Sequence, residues 1–156
     1  MRNKIIQVTF CLVIPQIAGL IGALFTTSQI TSWYATLIRP TFAPPNWIFA
    51  PVWTLLFLLM GISLLPIIKS KIKNKDVAYI VFGTQLVLNV FWSIFFFGLQ
   101  SPAMALFEII FLWVVILMNI LIFFKIDKWS GILLIPYFLW VSFAGVLNYF
   151  FWILNK

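Results

Sequence analysis

The 156-residue sequence has no histidine, one cysteine and only three acidic residues, and each shortage excludes a kind of chemistry. Without histidine there is neither a serine-histidine triad nor a histidine-ligated haem. The single cysteine, Cys11, allows no intrachain disulfide and no thiolate cluster for zinc or iron-sulfur. The seven glycines are scattered singly, so no phosphate-binding loop is present. The sequence therefore predicts no metal site and no required cofactor.

Apolar residues fill most of the chain, with 64% hydrophobic and 8% charged residues. A run of about 20 apolar residues, at about 1.5 Å per residue, spans a hydrocarbon core roughly 30 Å thick. Continuous runs such as 86–99 and 103–124 lack the alternation of barrel strands, and a helix satisfies its own backbone in lipid. We predict an all-α integral membrane protein, a five-transmembrane-helix bundle forming a single domain over 1–156. The predicted helices are 5–25, 46–68, 77–98, 102–124 and 131–154.

The formal charge of +7 does not indicate nucleic-acid binding, because the basic residues lie between the predicted helices and form no stripe on a helix face. Eight flank one set of helix ends: Arg2, Lys4, Lys69, Lys71, Lys73, Lys75, Lys125 and Lys128. Two flank the other: Arg39 and Lys156. This asymmetry predicts a bacterial inner membrane protein with a cytoplasmic N-terminus and an outward C-terminus. The 69–75 cluster also suits anionic lipid, and that alternative stays open.

The first apolar run follows a short basic start, which is also typical of a signal peptide. Pro15 and Gln16 interrupt the run, and no small-x-small cleavage site with a polar continuation follows. We therefore expect an uncleaved first membrane helix. Small residues spaced four apart could mediate a homodimer or other close packing of this helix. They are Ala18 with Gly22, and Gly19 with Ala23.

The connection 26–46 is the one link between predicted helices that is long enough to hold a site. Because proline fixes φ and donates no hydrogen bond, its prolines predict a stiff, non-helical cover that ends with Pro45 at the first turn of the second helix. The aromatic pair Trp33-Tyr34 either contributes to a site or belongs to an interfacial belt. Pro51, inside the predicted second helix, should kink it and open a cavity beside Trp53; a kink without a ligand is the alternative.

Polar residues form stripes at helical spacing on the last three predicted helices. The stripes comprise Gln85, Asn89, Trp92 and Phe96; Glu108, Leu112, Val115 and Asn119; and Pro136, Trp140, Ala144 and Asn148. Unpartnered amides and carboxyls are costly in hydrocarbon, so these stripes predict either interhelical hydrogen bonds or a polar pocket. For Glu108, its position near the start of a helix offers a solvated end as a further explanation.

Taken together, the motifs resemble the TspO/MBR family, the tryptophan-rich sensory or translocator proteins. The motifs that carry the resemblance run in order through nearly the whole chain: Trp33-Tyr34, Arg39-Pro40, Pro44-Pro45, Pro51-Val52-Trp53, Leu88-Asn89 with Trp92, Phe96-Phe97-Gly98, Pro136-Tyr137 with Trp140, Phe143-Ala144 and Leu147-Asn148. Several motifs in register are far more specific than any one of them.

The resemblance implies a five-helix bundle, often a homodimer, with a pocket under the first loop for porphyrins and synthetic translocator-protein ligands such as isoquinoline carboxamides and benzodiazepines. It carries the pocket over to Tyr34, Pro44, Ile48, Trp53, Asn89, Trp92, Glu108, Trp140, Ala144 and Leu147. It also implies light-dependent degradation of protoporphyrin by bacterial members, for which Trp53 and Trp140 are the candidate catalytic residues. The sterol motif of animal members is incomplete here, because Lys156 lies one residue too far from Tyr149.

Several functions follow from these patterns. The first is tetrapyrrole binding, with the porphyrin as ligand or as the substrate of a light-dependent reaction or sensing event. The alternative is a transporter of porphyrins or other amphiphilic small molecules, although no internal repeat of the transporter kind is visible. A stress-linked regulator acting through a partner protein would leave no trace in the sequence.

Overall fold

The computed structural model describes residues 2–72 and 75–156, apart from the side chains of Arg2 and Asn3. Within these ranges, five helices are long and apolar enough to cross a membrane, namely Lys4–Ile30, Asn46–Lys69, Asp76–Gly98, Pro102–Ile126 and Lys128–Leu154. No strand occurs in the described residues. The chain is therefore an all-α integral membrane protein, which confirms the predicted fold class.

Seven α-helices make up these spans and the cover between the first two. They are α1 (Arg2–Ile30), α2 (Trp33–Thr36), α3 (Phe49–Lys69), α4 (Asp76–Ser93), α5 (Pro102–Ile126), α6 (Lys128–Leu133) and α7 (Ile135–Leu154). A 3-10 turn, Asn46–Ile48, leads into α3, and a π-helical turn, Ile94–Gly98, extends α4. The fifth span consists of α6 and α7 in succession.

The first helix is longer than predicted, because it continues to Ile30 rather than ending near residue 25. Thr26 and Thr27 return their hydroxyls to the helix, donating to the carbonyls of Gly22 and Ala23 at 3.0 and 2.8 Å. This local bonding lets polar residues continue a helix that the hydropathy pattern alone would end. The other four predicted helices agree with the structure apart from their terminal turns.

The prolines of the cover and of the second span lie differently from the prediction. The segment after α1 is not wholly non-helical, since Trp33–Thr36 forms a helical turn. Pro45 directly precedes the 3-10 turn, one turn earlier than the start of α3. Pro51 is the third residue of α3, in the first turn, where backbone N–H groups have no acceptor within the helix, so a proline there breaks no hydrogen bond. The expected interior kink at Pro51 was therefore wrong. The proline inside α3 is Pro66.

Helices α1 and α3 approach each other more closely than side chains would normally allow. At Gly61 of α3, an added Cβ atom would lie 2.5 Å from the backbone oxygen of Cys11 and 3.0 Å from the Cα of Leu12. The small residues of α1 act in the same way, because a Cβ on Gly19 would meet the ring of Phe57 at 2.6 Å. These glycines pack against other helices of the same subunit, so they do not support a dimer interface. The homodimer stays a prediction.

The end of α3 is capped by a lysine from the predicted basic cluster. The ammonium of Lys75 donates to the carbonyls of Ile67, Ile68 and Ser70 at 3.1, 2.9 and 2.8 Å. A cation at the carbonyl end of a helix is stabilising. Lys75 therefore binds protein carbonyls, and the predicted contact with anionic lipid would use other residues of the cluster. Lys73 and the side chain of Arg2 lie outside the described residues.

The orientation of the bundle remains a prediction that a fusion experiment can test. We expect alkaline phosphatase fused after Lys156 to be active, because the lysine-rich connections after α3 and α5 should remain in the cytoplasm. A matched fusion truncated at Lys71 should be inactive as phosphatase and fluorescent as a green fluorescent protein fusion. The reversed pattern would invert the predicted orientation and leave the bundle intact.

Candidate functional site

A cavity of about 330 Å³ lies between α1, α3, α4, α5 and α7, with α2 at one end. Its volume is within the range of small-molecule sites. Most of its wall is apolar, and aromatic rings come from α2, α3, α4, the π-helical turn and α7. The cavity is therefore shaped by several helices at once, which is the usual origin of binding sites in helical bundles.

Most of the predicted site residues meet at this cavity. The wall includes Tyr34, Trp53, Asn89, Trp92, Trp140, Ala144 and Leu147. Pro44, Ile48 and Glu108 are not on the wall. The 3-10 turn presents the neighbouring residue, Phe49, to the cavity instead of Ile48. Glu108 is buried in α5 with 6% exposure, and neither carboxyl oxygen has a hydrogen-bond partner in the described part of the chain.

Helix α1 supplies a wall that the sequence prediction missed. Gln16, Gly19, Gly22 and Thr26 line the cavity, together with neighbouring residues of the same helix. Small residues here let α1 approach its neighbours closely, since a Cβ on Gly22 would lie 3.0 Å from the hydroxyl oxygen of Ser93. The four-residue spacing of small residues was the available signal, but it also predicts helix-helix packing.

Two amides of the polar stripe on α4 form a buried network under the cavity. The Asn89 Nδ2 donates to the Tyr137 hydroxyl, and that hydroxyl donates to Gln85 Oε1 at 2.8 Å. Gln85 Nε2 in turn contacts the sulfur of Met60 at 3.7 Å. The interhelical interpretation of this stripe is thus correct for Gln85. Every hydrogen bond of the Asn89 side chain to the described residues uses Nδ2, which leaves its Oδ1 as an acceptor beside the cavity.

Two indoles of the cavity wall, Trp92 on α4 and Trp140 on α7, differ in their hydrogen bonding. Trp92 Nε1 donates to Asn148 Oδ1 at 3.0 Å, and Asn148 Nδ2 donates to the carbonyl of Pro102 at 2.7 Å, so this ring is held in place. Trp140 Nε1 is buried without a partner among the described residues. Buried indole N–H groups usually find an acceptor, so this unpartnered donor is an exception.

The π-helical turn positions two consecutive phenylalanines against the cover. Leu99 N donates to the carbonyl of Ile94 at 2.7 Å, the five-residue spacing of a π turn. Phe96 and Phe97 are both buried, and their ring centroids lie 6.3 and 5.7 Å from that of Tyr34. The turn therefore brings adjacent rings to the same side of the helix end and closes the cavity under α2.

The cover is fixed to α7 by an asparagine near its end. Ile38 N donates to Asn155 Oδ1 at 2.8 Å, and Asn155 Nδ2 donates to the carbonyl of Ile38 at 3.0 Å. The guanidinium of Arg39 lies 5.6 Å over the ring of Tyr34. Burial raises the pKa of the Tyr34 phenol and the charge of Arg39 lowers it, with burial the larger effect. Tyr34 therefore remains a neutral wall of the site.

The cavity wall carries no charged side chain among the described residues; its polar groups are amides and hydroxyls. The wall also reaches the outside of the bundle between α1 and α3, where Leu20 is 68% exposed. At that edge Gln16 Nε2 donates to the carbonyl of Thr54 at 3.0 Å and bridges the two helices. The arrangement suits a flat, largely apolar ligand that a few amides orient.

The chain is similar to proteins of one family over nearly all of its length. The model of the TspO/MBR family matches residues 11–153. The tryptophan-rich protein TspO of Chlorobaculum tepidum is 38% identical over 96% of this chain and 96% of its own length. The corresponding protein of Archaeoglobus fulgidus is 41% identical over 88% of this chain and 89% of its own. The translocator protein of Bos taurus is 32% identical over 89% and 84%.

Proposed function

Because the chain belongs to the TspO/MBR family, we propose that it binds a metal-free porphyrin in the cavity beneath α2. The observation that carries this proposal is the combination of aromatic walls with two wall residues that keep an unpartnered polar atom, the Asn89 amide oxygen and the Trp140 indole N–H. Aromatic rings offer a conjugated macrocycle large contact areas with favourable stacking geometry. Since the sequence has no histidine, a free-base porphyrin suits the site better than haem.

The polar groups of the wall complement the centre of such a ligand. A free-base porphyrin presents pyrrole N–H donors and imine nitrogen acceptors. Asn89 Oδ1 would accept from a pyrrole N–H, and the unpartnered Trp140 Nε1–H would donate to an acceptor on the ligand. Each pairing would satisfy a group that otherwise has no partner among the described residues, which favours the bound state.

A titration of the purified protein in detergent tests the proposal. We expect protoporphyrin added in the dark to quench tryptophan fluorescence and to shift its own absorbance, saturating at one ligand per chain. An isoquinoline carboxamide should compete, since the family resemblance implies a shared pocket. Absorbance changes that grow linearly with pigment and match those in empty micelles would contradict specific binding.

Light-dependent degradation of the bound porphyrin is a second candidate function, favoured by the position of two indoles on one cavity wall. Trp53 and Trp140 both line the cavity. An indole beside an excited porphyrin can give up one electron, which leaves an indole radical cation and a porphyrin radical anion. Dissolved dioxygen would take the electron from the porphyrin anion and become superoxide. The indole radical cation would then regain an electron from the macrocycle, and superoxide would add to the oxidised macrocycle, so that dioxygen is the oxidant and the porphyrin is the species lost. This chemistry needs proximity and an oxidisable ring rather than an acid-base pair.

Replacing Trp53 and Trp140 together by phenylalanine should separate this chemistry from binding. Phenylalanine keeps most of the aromatic contact but is harder to oxidise and has no N–H. We expect porphyrin binding to weaken by about 1 kcal/mol or less, on the scale of aromatic pair energies. The illuminated loss of porphyrin absorbance, measured at equal occupancy, should fall about tenfold or more.

The matched control for this variant is Trp129→Phe, which changes an indole that is 70% exposed at the start of the fifth span. It should bleach the pigment as fast as the parent protein. If the double variant also bleaches at the parental rate, the two tryptophans are walls of the pocket, and the protein is a binder rather than an enzyme.

Transport of porphyrins or other amphiphiles is favoured by a different observation, the extension of the cavity to the outside between α1 and α3. A ligand that exchanges with the bilayer would use this edge, where Gln16 and Thr54 join the helices. Vesicles with an impermeant quencher inside would report net porphyrin movement. Binding without protein-dependent movement would exclude this function.

A further inference from the structure

The charge distribution around the cavity creates a problem for a porphyrin that carries carboxylates. The described cavity wall contains no cation, whereas protoporphyrin has two ionised propionates on one edge. An unpaired carboxylate in an apolar site is strongly unfavourable. The macrocycle must therefore lie with its propionate edge directed toward a cation outside the apolar wall, and Arg39 stands over Tyr34, a wall residue at the α2 end. We propose that Arg39 receives these carboxylates there; this inference rests on the proposed porphyrin binding.

Arg39 lies on the exposed surface of the cover, next to a residue of the cavity wall, with most of its donors available. Its guanidinium stands 5.6 Å over the ring of Tyr34, and Tyr34 lines the cavity. One N–H of Nη2 donates to the carbonyl of Pro44 at 2.8 Å. Of the five N–H donors of a guanidinium, the others have no hydrogen-bond partner among the described residues. A guanidinium in this state can bind a carboxylate through two parallel hydrogen bonds.

The backbone around Arg39 is held before any ligand arrives. The preceding residue, Ile38, is bound through both its N–H and its carbonyl to the side chain of Asn155. Asn155 is itself tied to α7, because its Nδ2 also donates to the carbonyl of Phe151 at 2.8 Å. On the other side, Ala43 N donates to the carbonyl of Pro40 at 3.0 Å. A fixed donor loses little entropy on binding, so its contribution to affinity is retained.

No acidic side chain competes for Arg39. Asp76 begins α4 and Asp127 follows α5, which places both at the opposite end of the bundle, and Glu108 is buried within α5. The other basic residue at this end of the bundle is Lys156. Arg39 is thus an unpaired cation beside a cavity without charge, which is the arrangement that an amphiphilic carboxylate requires.

A comparison of two porphyrins isolates the contribution of the carboxylates. Protoporphyrin and its dimethyl ester have the same macrocycle, but the ester has no negative charge. We expect Arg39→Gln to weaken protoporphyrin binding about tenfold, the scale of losing a charge-assisted hydrogen bond, and to change binding of the ester less than about twofold. Arg39→Lys keeps the positive charge but loses the planar pair of N–H donors. Its loss of protoporphyrin affinity should therefore be smaller than that of Arg39→Gln.

Lys156→Gln is the matched control, because it removes the same charge from the same end of the bundle, where Ile38 is bonded to Asn155. It should leave the affinities for both pigments unchanged. An equal loss for both pigments in Arg39→Gln would overturn the proposal, because Arg39 would then act by holding the cover. Unchanged protoporphyrin binding would overturn it as well. If neither pigment saturates the parent protein, the porphyrin function itself is wrong and the inference fails with it.

Discussion

Replacing Gly61 by alanine should destabilise the bundle by about 2–3 kcal/mol, although the change adds one methyl group in a helix. The methyl group would have to lie 2.5 Å from the Cys11 carbonyl oxygen and 3.0 Å from the Leu12 Cα. Both are backbone atoms, so no side chain can rotate to relieve the overlap. The whole of α1 would have to move away from α3, and the packing of the fully buried Cys11 and Met60 would be lost.

Gly83→Ala is the control for this prediction, because nothing lies within 4 Å of the position that its Cβ would occupy. Alanine is the better helix former by about 1 kcal/mol, so this variant should be at least as stable as the parent. If the free energies of unfolding of Gly61→Ala and Gly83→Ala differ by about 3 kcal/mol, their midpoints of thermal unfolding in detergent should differ by roughly 6–12 °C. Equal midpoints for the two variants would show that α1 and α3 are farther apart than in this structure.

The spans were predictable because membrane crossing depends on the length of a local apolar run. No long-range information is needed to see that 102–124 is long enough, and α5 is found at Pro102–Ile126. The ends were less predictable where polar side chains return to the backbone, as Thr26 and Thr27 do in extending α1. At Pro51 the prediction failed because the 3-10 turn moves the start of α3 to just before the proline.

The composition of the cavity was predictable where a residue has distinctive chemistry and the family motif supplies its neighbours. Asn89 and Trp140 are examples, and both line the cavity. The wall from α1 was not predictable in this way, since Gly19 and Gly22 contribute close helix packing rather than a functional group. For Glu108 the functional role stays a prediction: an acid in a span is a strong functional signal, but this side chain is buried and is not on the cavity wall.

The cover depends on contacts between residues that are distant in sequence. Asn155 and Ile38 are 117 residues apart, and nothing local marks either as a partner of the other. Their two hydrogen bonds determine where the segment after α2 lies and hence where Arg39 is held. This is the part of the site that needed a structure, and the carboxylate-binding role proposed for Arg39 follows from it.

Replacing Ala144 by phenylalanine should abolish porphyrin binding while the bundle remains folded. Ala144 lies on the cavity wall between the levels of Trp140 and Leu147 on α7. A phenyl ring there would occupy space that the macrocycle needs, and the cavity of about 330 Å³ leaves little room for both. Since the new ring would fill an existing space rather than a packed core, the cost to stability should be small. We expect affinity for protoporphyrin to fall at least about a hundredfold, or ~2.7 kcal/mol.

Val146→Phe provides the comparison, because it adds aromatic bulk to the same helix at a side chain that is 51% exposed on the outside of the bundle. It should bind protoporphyrin with parental affinity and elute from a sizing column in detergent like the parent. Ala144→Phe should elute in the same way but show no saturable quenching of tryptophan fluorescence. If its titration curve matches that of Val146→Phe, the porphyrin binds outside this cavity. The roles assigned to Asn89, Trp140 and Arg39 would then be withdrawn, because all three depend on a ligand seated against α7.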